Sequence, residues 1–376
     1  MRYQSTVFGQ LLKAVPRGWF DREAERLRDG RSKRTLSAWG HMVTMVLSQA
    51  AGLCSLREVE RMIEHHGGVA SHLGLQRVRR ATLGDANARR PAALFEAVAA
   101  RLAGEVSGGG LGKEALRLID ATRLFAGRKV AAWATGAVKL HLAFDPGAAR
   151  PVWFAVTSER VHDLTAARNL PIEPGVTYVF DKGYYDFAFW ARLDTEGCRF
   201  VTRLKKNSPV RILAERDVAG GILFDRIAYL SQRLQGQRRN PYGKPVRVVG
   251  LRTDNGRELV LISNDLDTPA DEIAAIYKAR WQVELFFKWI KQNLALGHFL
   301  GTSRNAVTIQ IMAALIVYLL LRAAAITCRA AIGLQAVARL LPATALARRS
   351  LHSLFKPPDK NPPETHATAQ SAFIFA

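Results

Sequence analysis

At Ser107, Gly108, Gly109 and Gly110 the sequence changes its period, and that change divides what the chain can fold into. Before it, apolar residues recur at helical spacing. After it, short runs rich in β-branched and aromatic residues alternate with turn signals. A Ser-Gly-Gly-Gly stretch offers almost no side chain for contacts across it, so a domain boundary is expected there. The expectation is an all-α region over residues 1–106 followed by an α/β unit, mixed α+β overall.

Within the helical region, Leu56–His65 opens with Ser55 and Glu58 at capping-box spacing and closes on Gly67 and Gly68. Further helices are expected over Ala38–Gln49 and after Pro91. Arg77, Arg79 and Arg80, and then Arg89 and Arg90, cluster near short turns. A DNA-docking domain presents cations in this way, and so does a solvated basic face.

Beyond the break, strands are expected at Ala115–Leu124, Val138–Phe144, Val152–Thr157, Val176–Phe180 and Phe200–Leu204. Helices are expected at Asp163–Asn169 and Tyr185–Glu196. Three strands, helix, strand, helix, strand describes a mixed five-stranded sheet with helices packed on it, and residues 113–205 form its first part. From Lys205 to Arg257 there are twelve Lys or Arg against four acids, a net of +8 in 53 residues. With strands near Val246–Leu251 and Leu259–Ser263, residues 206–267 read as a β-rich basic insertion that touches phosphates, and Lys205 and Lys206 at its start are candidate DNA contacts.

Thr268 is then expected to cap a helix with Pro269 at its first position and Asp271 and Glu272 in its first turn. No breaker follows before Gly297, so one long helix is expected, then a second over Arg304–Thr327, in a segment 268–330 that completes the core. Residues 331–376 read as a C-terminal helix and a Pro-rich tail, disordered from Pro357.

Lys and Arg number 54 against 32 Asp and Glu, a formal charge of +22. Such a charge repels itself in isolation and is neutralised beside a polyanion, which makes nucleic acid the leading partner. The most apolar run, Ile311–Leu321, has eleven residues, whereas a membrane span needs about 20, so a buried core helix and no membrane are expected. Met1–Phe20 carries no secretory pattern. Cys54, Cys198 and Cys328 are odd in number and far apart, so neither a disulfide framework nor a zinc site is expected, and a reducing cytoplasm fits.

On a wheel of about 100° per residue, Tyr277, Arg280, Glu284, Lys288 and Lys291 fall within an arc of about 80°. Ile276, Val283, Phe287, Ile290 and Leu294 occupy the adjoining arc and would pin the helix to the sheet. Taken alone, Arg280 with Glu284 and Glu284 with Lys288 also have the i,i+4 spacing of solvated ion pairs.

The spacing Tyr277, Arg280, Glu284, Lys291 resembles the Y-R-E-K signature of bacterial insertion-sequence transposases of the DDE class, and the string YKARWQVELFFKWIKQNL is similar to that group beyond those four positions. The resemblance implies a ribonuclease H-like core with one aspartate inside its first strand and one at the end of its fourth. Asp120, followed by Ala121 and Thr122, and Asp181, followed by Gly183 and Tyr184, match those contexts. The three acids are separated by 61 and 103 residues, and the longer interval accommodates the insertion that the family carries there.

The resemblance further implies that Asp120, Asp181 and Glu284 hold two Mg²⁺ ions, with Mn²⁺ able to substitute, because in-line displacement at phosphorus needs a hard, oxygen-rich cradle. Tyr277, Arg280 and Lys291 would grip phosphates at the transposon end, and Lys288 joins them by geometry. Double-stranded DNA, a homodimer on it and a nucleoid-associated cytoplasmic location follow from the same resemblance. Lys139 and His141, and His162 with Asp163, also lie in family-like strings and are read as packing or capping residues rather than catalytic ones. Two other readings stay open at this point: a catalytically silent DNA-binding descendant, or another ribonuclease H-like nuclease.

Overall fold

Strand-forming runs separated by turns assemble into one nine-stranded sheet in the computed structural model, which describes residues 5–27, 36–106, 115–125, 131–134, 136–232, 239–253 and 255–356. In chain order the strands are β1 (Leu116–Phe125), β2 (Ala137–Asp145), β3 (Arg150–Ser158), β4 (Thr177–Phe180), β5 (Arg199–Arg203), β6 (Val210–Arg216), β7 (Ile222–Leu230), β8 (Val246–Arg252) and β9 (Glu258–Ser263). They lie in the order β3-β2-β1-β4-β5-β9-β8-β7-β6. β1 with β4 and β4 with β5 are parallel, and the other pairings are antiparallel.

The five strands read from the sequence stand side by side in this sheet. The segment 206–267 departs from expectation, because it does not interrupt a five-stranded sheet as a separate β unit. Its four strands extend the same sheet, with β9 pairing β5 through Thr202↔Ile262. β6 and β7 were not legible. β6 is the outermost strand and largely exposed on both faces, so no burial-driven alternation marks it.

Successive residues of each inner strand face opposite cores. Leu118, Val179 and Val201 enter one core, and Ile119, Phe180 and Phe200 the other. The second core is filled by Phe189, Trp190 and Leu193 of the helix Phe187–Thr195. The first is the larger. It receives the N-terminal helices and the long helix Arg304–Thr327, which packs against Ala38–Ala50 and Ala93–Glu105. The helices of residues 1–106 and the rest of the chain therefore share one apolar interior. The Ser107–Gly110 break and the tail from Pro357 lie outside the described residues.

Arg304–Thr327 has the length and composition of a membrane span, with a window of mean hydropathy 2.2, yet 78% of that window is buried inside the protein. It is the core helix expected. Ser303 caps it by accepting the Ala306 N–H at 3.1 Å. The Leu56–His65 helix also has its expected bounds. Ser55 Oγ accepts the Glu58 N–H, while Glu58 reaches back to the Cys54 N–H at 2.8 Å, one residue before the cap. Gly67 does not end helical structure, because a short helix, Gly67–Ala70, follows directly.

Gln310, fully buried in the long helix, accepts the Leu300 N–H at 2.7 Å and donates to the carbonyls of Ala295 (3.0 Å) and His298 (2.8 Å). It thus ties down the turn that follows the Trp281–Asn293 helix. Gln310→Leu strands three backbone groups and is expected to cost about 3 kcal/mol, measured as a lowered denaturation midpoint in urea.

His41 is buried in Ala38–Ala50 with Nε2 at 2.7 Å from Asn87 Oδ1, and burial pushes its pKa down to about 4. The unfolded chain binds a proton near the ordinary value of 6.5 and the folded chain does not. The stability that depends on neutral His41 is therefore complete above about pH 6.5 and is lost as pH falls toward about 4. Wild type is expected to lose up to about 3 kcal/mol more than His41→Gln over that window, read from urea titrations at pH 7 and pH 4.5.

Candidate active site

β1 and β4 run parallel with Ile119 opposite Phe180, so the next residue on each, Asp120 and Asp181, emerges at the same level. Alternation sends both to the face occupied by Leu118 and Val179. Asp120 Oδ1 accepts the Ala121 N–H at 2.8 Å. Asp181 accepts the Gly183 N–H at 2.7 Å and so caps the 3₁₀ turn Lys182–Tyr184. A Cβ at position 183 would stand 2.9 Å from Asp181 Oδ1, which explains a glycine two residues after this aspartate.

The third acid arrives on a helix, though not on the single long helix expected. Ala270–Ala279 and Trp281–Asn293 are separate helices joined at Arg280, where the bonds shorten to i→i−3: Arg280 N–H to Tyr277 O at 3.1 Å and Val283 N–H to Arg280 O at 3.2 Å. The first helix packs across β4, β5, β7 and β8, and the second against β1. The two helices thus rest on different strands, and no residue in the sequence announces the change. The helix start also differs from expectation. Pro269 takes the cap position, and Thr268 donates instead to Asp265 Oδ2 at 2.7 Å.

Arg280 stands between two of the acids. Its Nη2 lies 2.7 Å from Glu284 Oε1 and its Nη1 3.6 Å from Asp120 Oδ2. Burial pushes the Asp120 carboxyl up to about 6, and the charges of Asp181 and Glu284 push the same way. The Ala121 N–H and Arg280 oppose them. A cavity of about 450 Å³ opens beside the pair, lined by Asp120, Thr122, Glu284, Phe287, Lys288 and Lys291 among others.

The polar stripe is graded in depth. Tyr277 is buried, the Arg280 side chain is 15% exposed, and Lys288 and Lys291 are open to solvent. Lys205 and Lys206 are exposed just beyond β5, with Lys205 Nζ 4.6 Å from the Tyr185 ring centre. Lys139, His141 and Asp163 come together on the other side of the sheet. Lys139 donates to Asp163 Oδ1 at 2.9 Å and His141 bonds Thr157 Oγ1 at 2.8 Å, while His162 rather than Asp163 caps the helix Asp163–Ala167. Sequence reasoning overlooked Arg203, which ends β5 beside Asp181. No motif marks it, and only the β4–β5 register could have found it.

Three carboxylates, one inside β1, one at the end of β4 and one on a packed helix, are the hard oxygen donors that a divalent cation takes. The repulsion that Asp120 feels is what such a cation would relieve. Among the described residues, however, no three His, Cys, Asp or Glu side chains converge closely enough to hold one ion together, and Arg280 fills the space between Asp120 and Glu284.

Residues 112–320, more than half of the chain, match the family profile of the transposase DDE domain. The chain belongs to the DDE transposases. The transposase is 37% identical over 289 residues to the y4zB transposase of Sinorhizobium fredii, covering 74% of this chain and 81% of that one. It is 31% identical over 225 residues to the transposase of insertion sequence IS5377 of Geobacillus stearothermophilus, covering 55% and 56%. The IS4SA transposase of a Synechocystis strain is 32% identical over 157 residues, 40% of this chain and 41% of that one. Residues 3–76 match a domain of unknown function, DUF4372. A solved piggyBac transposase synaptic complex with hairpin DNA superposes with a TM-score of 0.44 and 11% identity over 94% of this chain and 81% of that one, too loosely to carry an argument. The DDE transposase is thus a DNA-cleaving and strand-transferring enzyme of bacterial insertion-sequence type.

Proposed function

We propose that this transposase binds the terminal inverted repeats of its own insertion sequence as a homodimer and cuts the transposon end with Asp120, Asp181 and Glu284. The freed 3′-hydroxyl then attacks target DNA. The observation that carries this reading is that Asp120 and Asp181 emerge level from the neighbouring parallel strands β1 and β4, while Arg280 lies 3.6 Å from Asp120 and 2.7 Å from Glu284, so that the three acids share one end of the sheet. The order β3-β2-β1-β4-β5, antiparallel then parallel, supports a ribonuclease H-like core, and the Tyr277, Arg280, Glu284, Lys291 spacing supports the Y-R-E-K group.

Two bound Mg²⁺ or Mn²⁺ ions would supply Lewis acidity to the attacking and leaving oxygens. Tyr277 and Arg280 hold a backbone phosphate against the sheet edge, and the exposed Lys288 and Lys291 meet the strand further out along the helix. Lys205 and Lys206 extend the basic track past β5, and a net charge of +22 is neutralised by the DNA on which the complex assembles. Transposition then takes place in the bacterial cytoplasm, on the nucleoid.

A plasmid carrying the gene with its native flanking DNA tests this. Full-length protein with Mg²⁺ or Mn²⁺ is expected to release the element and insert it into a second plasmid between short direct duplications, whereas Ca²⁺ supports binding alone. Absence of strand breakage by wild type in every divalent cation tried rejects the proposal.

A further inference from the structure

β1, β4 and β5 stand side by side and parallel, and at one level across them each carries a charged residue, inside β1, just past the end of β4 and at the end of β5. Asp120 and Asp181 are two of these, and Arg203 is the third. Val179 pairs with Val201, so two residues further on Asp181 is level with Arg203, and Thr202 Oγ1 donates to the Asp181 carbonyl at 3.3 Å. Val179 and Val201 face the same core, so Asp181 and Arg203 project to that face too. The Ala270–Ala279 helix covers it and brings Tyr277, and the charges of Arg280, Arg203 and Asp181 all act on the Tyr277 phenol.

Arg203 is half-buried, and its Nε–H is shielded from solvent with no hydrogen-bond partner among the described residues. Arg280 Nε is likewise unpartnered, although its Nη atoms face Glu284 and Asp120, and the Nε of Arg101, Arg150 and Arg322 are too, each of those three having another nitrogen bonded. A buried N–H of a cation without an acceptor is costly, and an arginine serving structure alone at such depth is normally paired. Arg247 shows the paired form in this protein, with both Asp225 oxygens within 2.8 Å. Two guanidinium groups with idle donors flank one buried phenol at the end of the acid-bearing edge. The acceptor that satisfies such a pair is an oxyanion with several non-bridging oxygens, and a phosphate takes arginine forks in that way.

We infer that Arg203 is a DNA-binding residue of the active site, holding together with Arg280 and Tyr277 the backbone phosphate next to the one being cut, on the side of Asp181 away from Asp120. The inference rests on the transposase chemistry proposed above and adds to it a residue outside the tetrad spacing and the acidic triad. Strand order sets the direction: Asp120, Asp181 and Arg203 follow one another across β1, β4 and β5, so a DNA strand crossing that edge meets the arginine one step after the acids.

The test uses full-length wild type, Arg203→Ala, Arg203→Lys, Arg203→Met and, as a control, Glu284→Gln. The probe is a fluorescent duplex cut from the gene's flanking DNA and ending at the element boundary, titrated in Ca²⁺ over a range of salt. Arg203→Ala is expected to weaken binding about tenfold and to reduce the slope of log affinity against log salt by about one. Arg203→Lys restores the slope but not the cleavage rate, because a point charge replaces the fork. Arg203→Met keeps or raises Tm, since the shielded Nε–H has no hydrogen bond to lose among the described residues. Glu284→Gln keeps the affinity and loses cleavage.

If Arg203→Ala binds and cuts like wild type, or if Arg203→Met unfolds well below wild type, the inference is overturned and the catalytic proposal survives. If wild type itself cuts nothing, the catalytic proposal fails first.

Discussion

Asp120→Asn is expected to bind transposon-end DNA as tightly as wild type or more tightly, and to cut it at least about a thousandfold more slowly, a loss of about 4 kcal/mol of transition-state stabilisation. The amide keeps an oxygen for the Ala121 N–H but cannot ligate a cation as a carboxylate does. Losing a negative charge beside Glu284 removes repulsion toward the phosphate backbone. Plasmid cleavage in Mg²⁺ and binding in Ca²⁺ measure the two effects separately, and persistence of cleavage in the variant would falsify the proposed site.

The same substitution has an opposite effect on stability. Burial raises the Asp120 carboxyl from 3.8 to about 6, so between these values the folded chain holds a proton that the unfolded chain has released. The Asp120 contribution is therefore neutral below about pH 3.8, turns destabilising as pH rises to about 6, and stays so above it. An asparagine side chain in its place never ionises. The variant is expected to be more stable than wild type by about 1–3 kcal/mol at pH 8 and by little at pH 4, read from urea titrations at both. Such a gain where activity is lost is the mark of a site that gives up stability for function.

Arg247→Met is expected to destabilise the protein by about 3–5 kcal/mol. The Arg247 and Asp225 side chains are 3% and 4% exposed and bridge β8 and β7 through bonds of 2.8 and 2.6 Å. Arg247 also donates to the Thr268 carbonyl, just before the helix that carries Tyr277. Losing the arginine strands a buried carboxylate and frees that helix start, so DNA cleavage should fall with stability. Replacing both residues, Asp225→Leu with Arg247→Met, should recover most of the loss. A double-mutant cycle with no coupling between them would show that the ion pair does not hold β7, β8 and the helix start together.

How much of this was legible depends on how local the cause is. Val176–Phe180 and Phe200–Leu204 were readable as strands, and Leu56–His65 as a capped helix, because pattern and caps act within a few residues. Glu284 was readable as a candidate acid only because its spacing with Tyr277, Arg280 and Lys291 resembles the Y-R-E-K signature, since the helical face alone reads as well as solvated ion pairs. β6 was not, since an edge strand exposed on both faces has no side to distinguish. The break at Arg280 was not either, because the helices on its two sides follow different strands. Arg203 gave no sign at all: an arginine ending a strand is ordinary until its neighbour across the sheet is known.

By itself, then, the sequence determined most strands around the site, the three candidate acids, the spacing of Tyr277, Arg280, Glu284 and Lys291 and a charge suited to DNA. Only the tertiary structure decided that β9 joins β5 to extend one sheet, that Arg280 stands between Asp120 and Glu284, and that Arg203 is level with Asp181. The reason is physical. Propensity, caps and periodicity act along the chain, whereas strand order, register and helix axes are set by burial between segments far apart in it, and charges meet only after those choices are made.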